Sequence, residues 1–158
     1  MASIRLAAAM KFIEHFATLD TNILQSILAT DYIHQYAPSS IPQQEPFDKQ
    51  GLIAFVTSLK TIMNGYPMVV KLAMESESSN AVTIWAAGEA IFRDAAKDDG
   101  IANQEWNYKA EYIFMIFLDN EGDKIIKTIE LVDSKATVDK LLGLSQRAYK
   151  NISNQSSQ

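Results

Sequence analysis

The side chains most able to move a proton are Glu130, Glu111, Glu89, Asp133 and His34. Glu130 is flanked by Ile129 and Leu131 in IIKTIELVDS, and Glu111 by Ala110 and Tyr112 in NYKAEYIFMIF. Apolar surroundings disfavour the ionised form of a carboxyl, so an acid held there can serve as general acid or base near neutral pH. His34, in DYIHQY, adds an imidazole, which ordinarily titrates at about 6.5 and passes protons both ways. A histidine and a carboxylate across one pocket suit enolisation, dehydration or an aldol-type ring closure.

Strand periodicity decides which of these groups can meet. Glu130 shares a face with Ile126, Thr128 and Val132, and either lines a pocket or faces solvent beside a lysine such as Lys109. Asp133 then points the opposite way and is either a second acid or, with Ser134, the cap of a following helix. Glu111 falls on the face of Asn107, Lys109, Ile113 and Met115. Trp106, Tyr108, Tyr112 and Phe114 fall on the other, as pocket wall or as core. Glu89 shares a face with Trp85, Ala87 and Ile91, and either shares a proton with Glu111 or joins a bridge to Lys109. His34 lies between Tyr32 and Tyr36 in a stretch, 30–46, that Pro38, Pro42 and Pro46 mark as an irregular loop. His15 falls on an exposed helix face.

The elements that must position these groups follow from period and punctuation. Apolar spacing predicts helices over 3–17, 21–29 and 48–64, capped by Ser3 and by Asp20 or Thr21, the third stopping at Asn64-Gly65. The period then changes to that of strands over 69–76, 81–93, 105–118 and 124–134. Ser78-Ser79-Asn80, Asp98-Asp99-Gly100 and Asp119-Asn120-Glu121-Gly122 separate them. A last helix is expected over 136–149, followed by a flexible polar tail, 151–158. The expectation is one α+β domain, 1–150, with helices packed on one face of a strongly curved antiparallel sheet.

Composition narrows the chemistry. With no cysteine and two histidines, thiol nucleophiles and disulfides are excluded and no metal site is expected. A net charge of -5 with scattered basic residues argues against a nucleic-acid partner. No segment is long and apolar enough for a membrane, and Lys11, Glu14 and His15 interrupt the N-terminal apolar run, so a cytoplasmic protein is expected. No glycine-rich phosphate cradle or nucleophile elbow is present. Catalysis is therefore expected to rest on acid, base and shape, without a cofactor.

Four segments carry a resemblance: DYIHQYAPSS at 31–40, AVTIWAAGEAIFRD at 81–94, EWNYKAEYIFMIF at 105–117 and GDKIIKTIELVDSKAT at 122–137. In this order, after the helices, they resemble fungal SnoaL-like proteins of the nuclear-transport-factor-2-like superfamily, of the polyketide-cyclase and meroterpenoid-isomerase type. The resemblance implies a cone-shaped domain around a pocket for a hydrophobic polycyclic polyketide or terpenoid, transformed by an isomerase, cyclase or dehydratase. It also implies that a residue near His34 reaches the cavity mouth. Glu130, His34, Glu111 and Asp133 are the catalytic candidates; Tyr32, Trp85, Glu89, Trp106, Tyr108, Tyr112 and Phe114 are the substrate-binding ones. A homodimer is expected through the exposed sheet face, with Ile125, Ile129 and Leu131 or Ile113, Met115 and Phe117 as its surface. The alternative is a noncatalytic ligand-binding or dimerisation module on the same fold.

Overall fold

Alternation of inward and outward residues along four long strands builds the molecule, a computed structural model in which residues 2–42, 45–98 and 103–158 are described. In chain order the elements are α1 (Ile4–Glu14), α2 (Thr21–Ile27), β1 (Leu28–Ala37), β2 (Phe47–Asp48), α3 (Lys49–Leu59), β3 (Met63–Gly65), β4 (Met68–Ser76), β5 (Ala81–Phe92), β6 (Tyr108–Leu118) and β7 (Ile125–Val132). Then come α4 (Ser134–Ala136), a π-helical turn (Thr137–Leu141) and α5 (Leu142–Gln155). The sheet runs β2-β1-β7-β6-β5-β3, with β4 also paired to β5. Helices fill its concave side, an α+β cone as expected.

Each N-terminal helix starts at a side-chain cap. Ser3 Oγ accepts from Leu6 N at 3.0 Å, Asp20 Oδ1 from Asn22 N at 2.8 Å and Asp48 Oδ1 from Gly51 N at 2.7 Å. α1 buries Ala8, Ala9, Phe12 and Ile13 against the sheet. α3 ends at Leu59, short of the expected stop, because Met63–Gly65 pair instead with Ile91 and Phe92 of β5. Gly65 is required there by close approach, not by a left-handed turn: a Cβ would overlap the Ala17 carbonyl oxygen.

The expected loop around His34 is a strand. Tyr32 and His34 are buried and Tyr36 half-buried, while Ile33 and Gln35 face out. β1 pairs with β7 in parallel, His34 beside Thr128 and Tyr36 beside Glu130, so the sheet is mixed rather than purely antiparallel. The prolines act only from Pro38 on, where the strand has ended. At the far end of β7 the register against β6 shifts between Phe117 and Leu118. That bulge buries Ile125 fully and turns Ile126 outward, removing Ile126 from the face of Glu130 and Ile125 from the exposed surface.

α5 continues through Gln155, beyond the expected end of the helix at 149. Asn151 Nδ2 donates to the Ala96 carbonyl at 3.0 Å and Gln155 Nε2 to the Ala95 carbonyl at 2.7 Å, so 151–155 are docked helix rather than free tail. The turn expected at Asp98-Asp99-Gly100 lies partly outside the described residues. Among the described residues no helix is long and apolar enough to cross a membrane.

Candidate functional site

Between the concave sheet, α1, α3 and α5 lies a cavity of about 360 Å³. Its walls are mostly apolar, including Phe12, Leu52, Val56, Met63 and Val132. That size and lining suit a small, largely hydrophobic ligand.

Glu130 sits in the middle of the concave wall. Its β6 neighbour is Phe114 and its β1 neighbour Tyr36. His34, one strand away, brings Nε2 to 2.9 Å from Glu130 Oε2. Both residues are buried, His34 at 1 % and Glu130 at 6 % exposure, and both line the cavity. Behind them the Tyr32 hydroxyl lies 2.8 Å from His34 Nδ1. With Glu130 accepting from His34 Nε2, the lone pair of a neutral ring is left at Nδ1 to accept from Tyr32. Burial pushes the Tyr32 hydroxyl far above its ordinary pKa, keeping it a donor. The result is a directed relay: Tyr32 to His34 to Glu130. Glu130 Oε1 has no hydrogen bond among the described residues and remains for a ligand.

Tyrosine hydroxyls supply the cavity's other polar wall. Tyr66 and Tyr112 both line it and are hydrogen-bonded to each other. Burial, with the neighbouring tyrosines behind it, raises the Tyr112 pKa; burial likewise raises that of Tyr66. Both therefore stay protonated at neutral pH. If Tyr66 donates to Tyr112, the Tyr112 hydrogen is free for a ligand oxygen, and the donated bond strengthens it as a donor. Gly88 makes room for the Tyr66 ring: a Cβ there would overlap the ring and come within 2.7 Å of Met68 Sδ.

Of the expected catalytic residues, the structure brings Glu130 and His34 together and leaves two outside. Glu111 is opposite Ala87 of β5 on the convex face, where it is ion-paired with Lys71 and accepts from Trp85 Nε1 at 3.3 Å. The hydrogen bond from Lys71 holds its carboxyl below the usual range. Asp133 caps α4, accepting from Ala136 N at 3.0 Å, and does not line the cavity.

Among the expected binding residues, Tyr112 lines the cavity. Trp85 and Glu89 lie on the convex face; Lys71 sits over the Trp85 ring at 4.8 Å, and Glu89 pairs with Lys109 at 3.5 Å. Tyr32, Trp106, Tyr108 and Phe114 are buried core behind the wall. Phe114 packs edge-on to Phe12, and Trp106 lies between Phe92 and Arg147. The polar or aromatic lining residues missed from sequence include His15, Tyr36, Tyr66 and Thr137 and, from α5, Ser145, Gln146 and Tyr149. Tyr36 was signalled by its two-residue spacing from His34; Tyr66, in a turn between elements, carried no periodic signal.

Among the described residues no cluster of His, Asp or Glu could hold a metal ion. Neither protein-family models nor curated protein sequences match the chain. Solved structures do. BvnE pinacolase from Penicillium brevicompactum superposes with a TM-score of 0.76 at 17% identity, over 93% of this chain and 96% of that one. AusH from Aspergillus nidulans gives 0.69 at 19%, over 85% and 86%. A protein from Shewanella denitrificans described as a candidate SnoaL-like polyketide cyclase gives 0.69 at 12%, over 90% and 99%. These likenesses run nearly end to end, in agreement with the helix and strand order and the curled sheet: the chain has the cone fold of these proteins.

Proposed function

We propose that the protein is a cofactor-independent isomerase or cyclase acting by acid-base catalysis on a hydrophobic polycyclic polyketide or terpenoid intermediate of fungal secondary metabolism. The observation that carries this reading is the buried Glu130 carboxyl, hydrogen-bonded to His34 in the wall of an apolar cavity with one oxygen uncommitted. In this reading Glu130 takes a proton from one position of the bound ligand and returns it to another, while His34, held by Tyr32, steadies the carboxylate through its Nε2 hydrogen. Tyr112 donates to the oxygen on which negative charge develops. The cavity holds one reactive conformer, and orientation supplies a large share of the acceleration. The names of the pinacolase and of the SnoaL-like cyclase agree with chemistry of this kind on the same scaffold.

Glu130→Gln tests it, because the amide keeps the shape and can still accept from His34. A producing strain lacking the gene is expected to accumulate an unrearranged intermediate. The wild-type gene restores its consumption, whereas Glu130→Gln restores about 10²-fold less or worse. Complementation by Glu130→Gln at the wild-type level would favour the noncatalytic carrier.

The same reading takes the active form as a homodimer joined at the convex sheet face. Paired registers place Leu72, Trp85, Ile113 and Leu131 in one row across four strands, with Met74, Met115 and Ile129 in the next. Trp85 is 40% exposed, Leu72 47% and Met74 56%, an apolar surface of the kind that marks association sites.

A further inference from the structure

His15 is the other histidine of the cavity wall, and the relay does not use it. It is 1% exposed, at the end of α1, where the chain tightens into a 3₁₀ turn over His15–Ala17. Its Nδ1 meets the carbonyl oxygen of Phe12. A carbonyl only accepts, so Nδ1 carries a hydrogen, and in the neutral ring Nε2 keeps a lone pair. Nε2 is buried and has no partner among the described residues. The ring is packed 4.0 Å from Phe16 and 5.0 Å from Phe12, centroid to centroid, which opposes its turning to find one. Protonation is no remedy either: burial holds the His15 pKa down at about 4, the Phe12 carbonyl and Asp20 favouring the charge and His34 opposing it. A neutral, unsatisfied acceptor on a ring that lines the cavity is costly unless something donates to it.

We infer that His15 Nε2 is a substrate-recognition acceptor that receives the hydrogen of a ligand hydroxyl, so that the cavity selects neutral alcohols, phenols or enols over their methyl ethers and over carboxylates. This rests on the cavity being the ligand site, and goes beyond it by naming the functional group the ligand must present on the helix side. Discrimination against a ligand lacking the hydroxyl is expected to be strong, because binding it leaves the lone pair buried without a donor. A carboxylate is refused because two acceptors would face each other.

The test uses the intact protein with 2-naphthol and 2-methoxynaphthalene, which differ only in the ability to donate. Two-bond ¹H–¹⁵N spectra of the histidine rings report each nitrogen, and the missing signal in His15→Phe assigns His15. In wild type, 2-naphthol is expected to move the Nε2 resonance upfield and to bind about tenfold or more tighter than the ether, the free-energy scale of one buried hydrogen bond. His15→Phe should remove that preference while leaving the ether's affinity in place, and His15→Gln, which retains an acceptor, should recover part of it. Failure of 2-naphthol to move Nε2, or equal binding of the two probes, overturns the inference, and needs only the wild-type protein. If the probes perturb His34 and not His15, the cavity binds ligands and only the His15 role fails. If neither histidine responds, the cavity reading fails with it.

Discussion

At the residue scale, the two cavity histidines are held in opposite ways. Among the described residues His34 has partners on both nitrogens, whereas His15 has one on Nδ1 alone. Stability should record the difference for His15. Its folded pKa of about 4 lies below the ordinary 6.5, so unfolding takes up a proton between those values. The penalty is absent above about pH 6.5 and grows as pH falls towards 4, reaching about 3 kcal/mol at the scale of 1.36 kcal/mol per pKa unit. Urea unfolding of wild type and His15→Phe at pH 7 and pH 4.5 should show the wild type losing more of its stability on acidification. Equal losses would show that the His15 pKa does not differ between the folded and unfolded chain, and so that burial does not depress it. Apolar spacing left His15 on an exposed helix face because the small alanines of the buried face carry little hydropathy signal. The face that α1 buries is Ala8, Ala9, Phe12 and Ile13, and His15, three residues after Phe12 and seven after Ala8, continues it. Asp133, by contrast, was legible as a cap, because Asp before Ser at the end of a strand carries that role in its own local bonding.

At the element scale, β1 decides whether there is a site at all, since His34 and Glu130 are 96 positions apart and meet only through the parallel β1–β7 pair. The four later strands could be read from β-branched and aromatic alternation. β1 could not, because its inward row contains a histidine and its outward row an isoleucine, which erases the hydropathy contrast that marks a half-buried strand. Glu111 and Glu89 were legible as strand acids, but only the strand registers show that they lie on the convex side. β5 offers a direct test of how the cavity wall is packed. Gly88→Ala places a methyl against Tyr66 and Met68, so it should cost about 1–3 kcal/mol and displace the Tyr66 ring. Calorimetry together with the Tyr66–Tyr112 contacts by NMR checks both; an unchanged melting temperature would mean that Tyr66 moves freely.

For the whole molecule, one curved sheet serves two surfaces. Its concave side is closed by α1, α3 and α5, and α5 is fastened from outside by Arg147 and Asn151 to Asp98. Its convex side is left with the rows through Trp85 and Met115. Replacing Leu72 and Trp85 together by Lys and Glu should convert a dimer to monomer in light scattering while His34 and Glu130 keep their contact. A wild type that is monomeric at micromolar concentration, or a double variant still dimeric, removes the convex-face interface.

The bulge at the end of β7 has a consequence for how the chain can vary. Above it, the registers align so that every inward position of β1, β5, β6 and β7 carries an even number: Tyr32, His34 and Tyr36; Ile84 and Ala86; Tyr112 and Phe114; Thr128 and Glu130. Odd positions face outward, and below the bulge, at Ile125, the parity flips. Pocket and proposed association surface are therefore written in alternate letters of the same segments. Drift in ligand preference and drift in self-association can proceed along one strand as two interleaved histories, each nearly blind to the other.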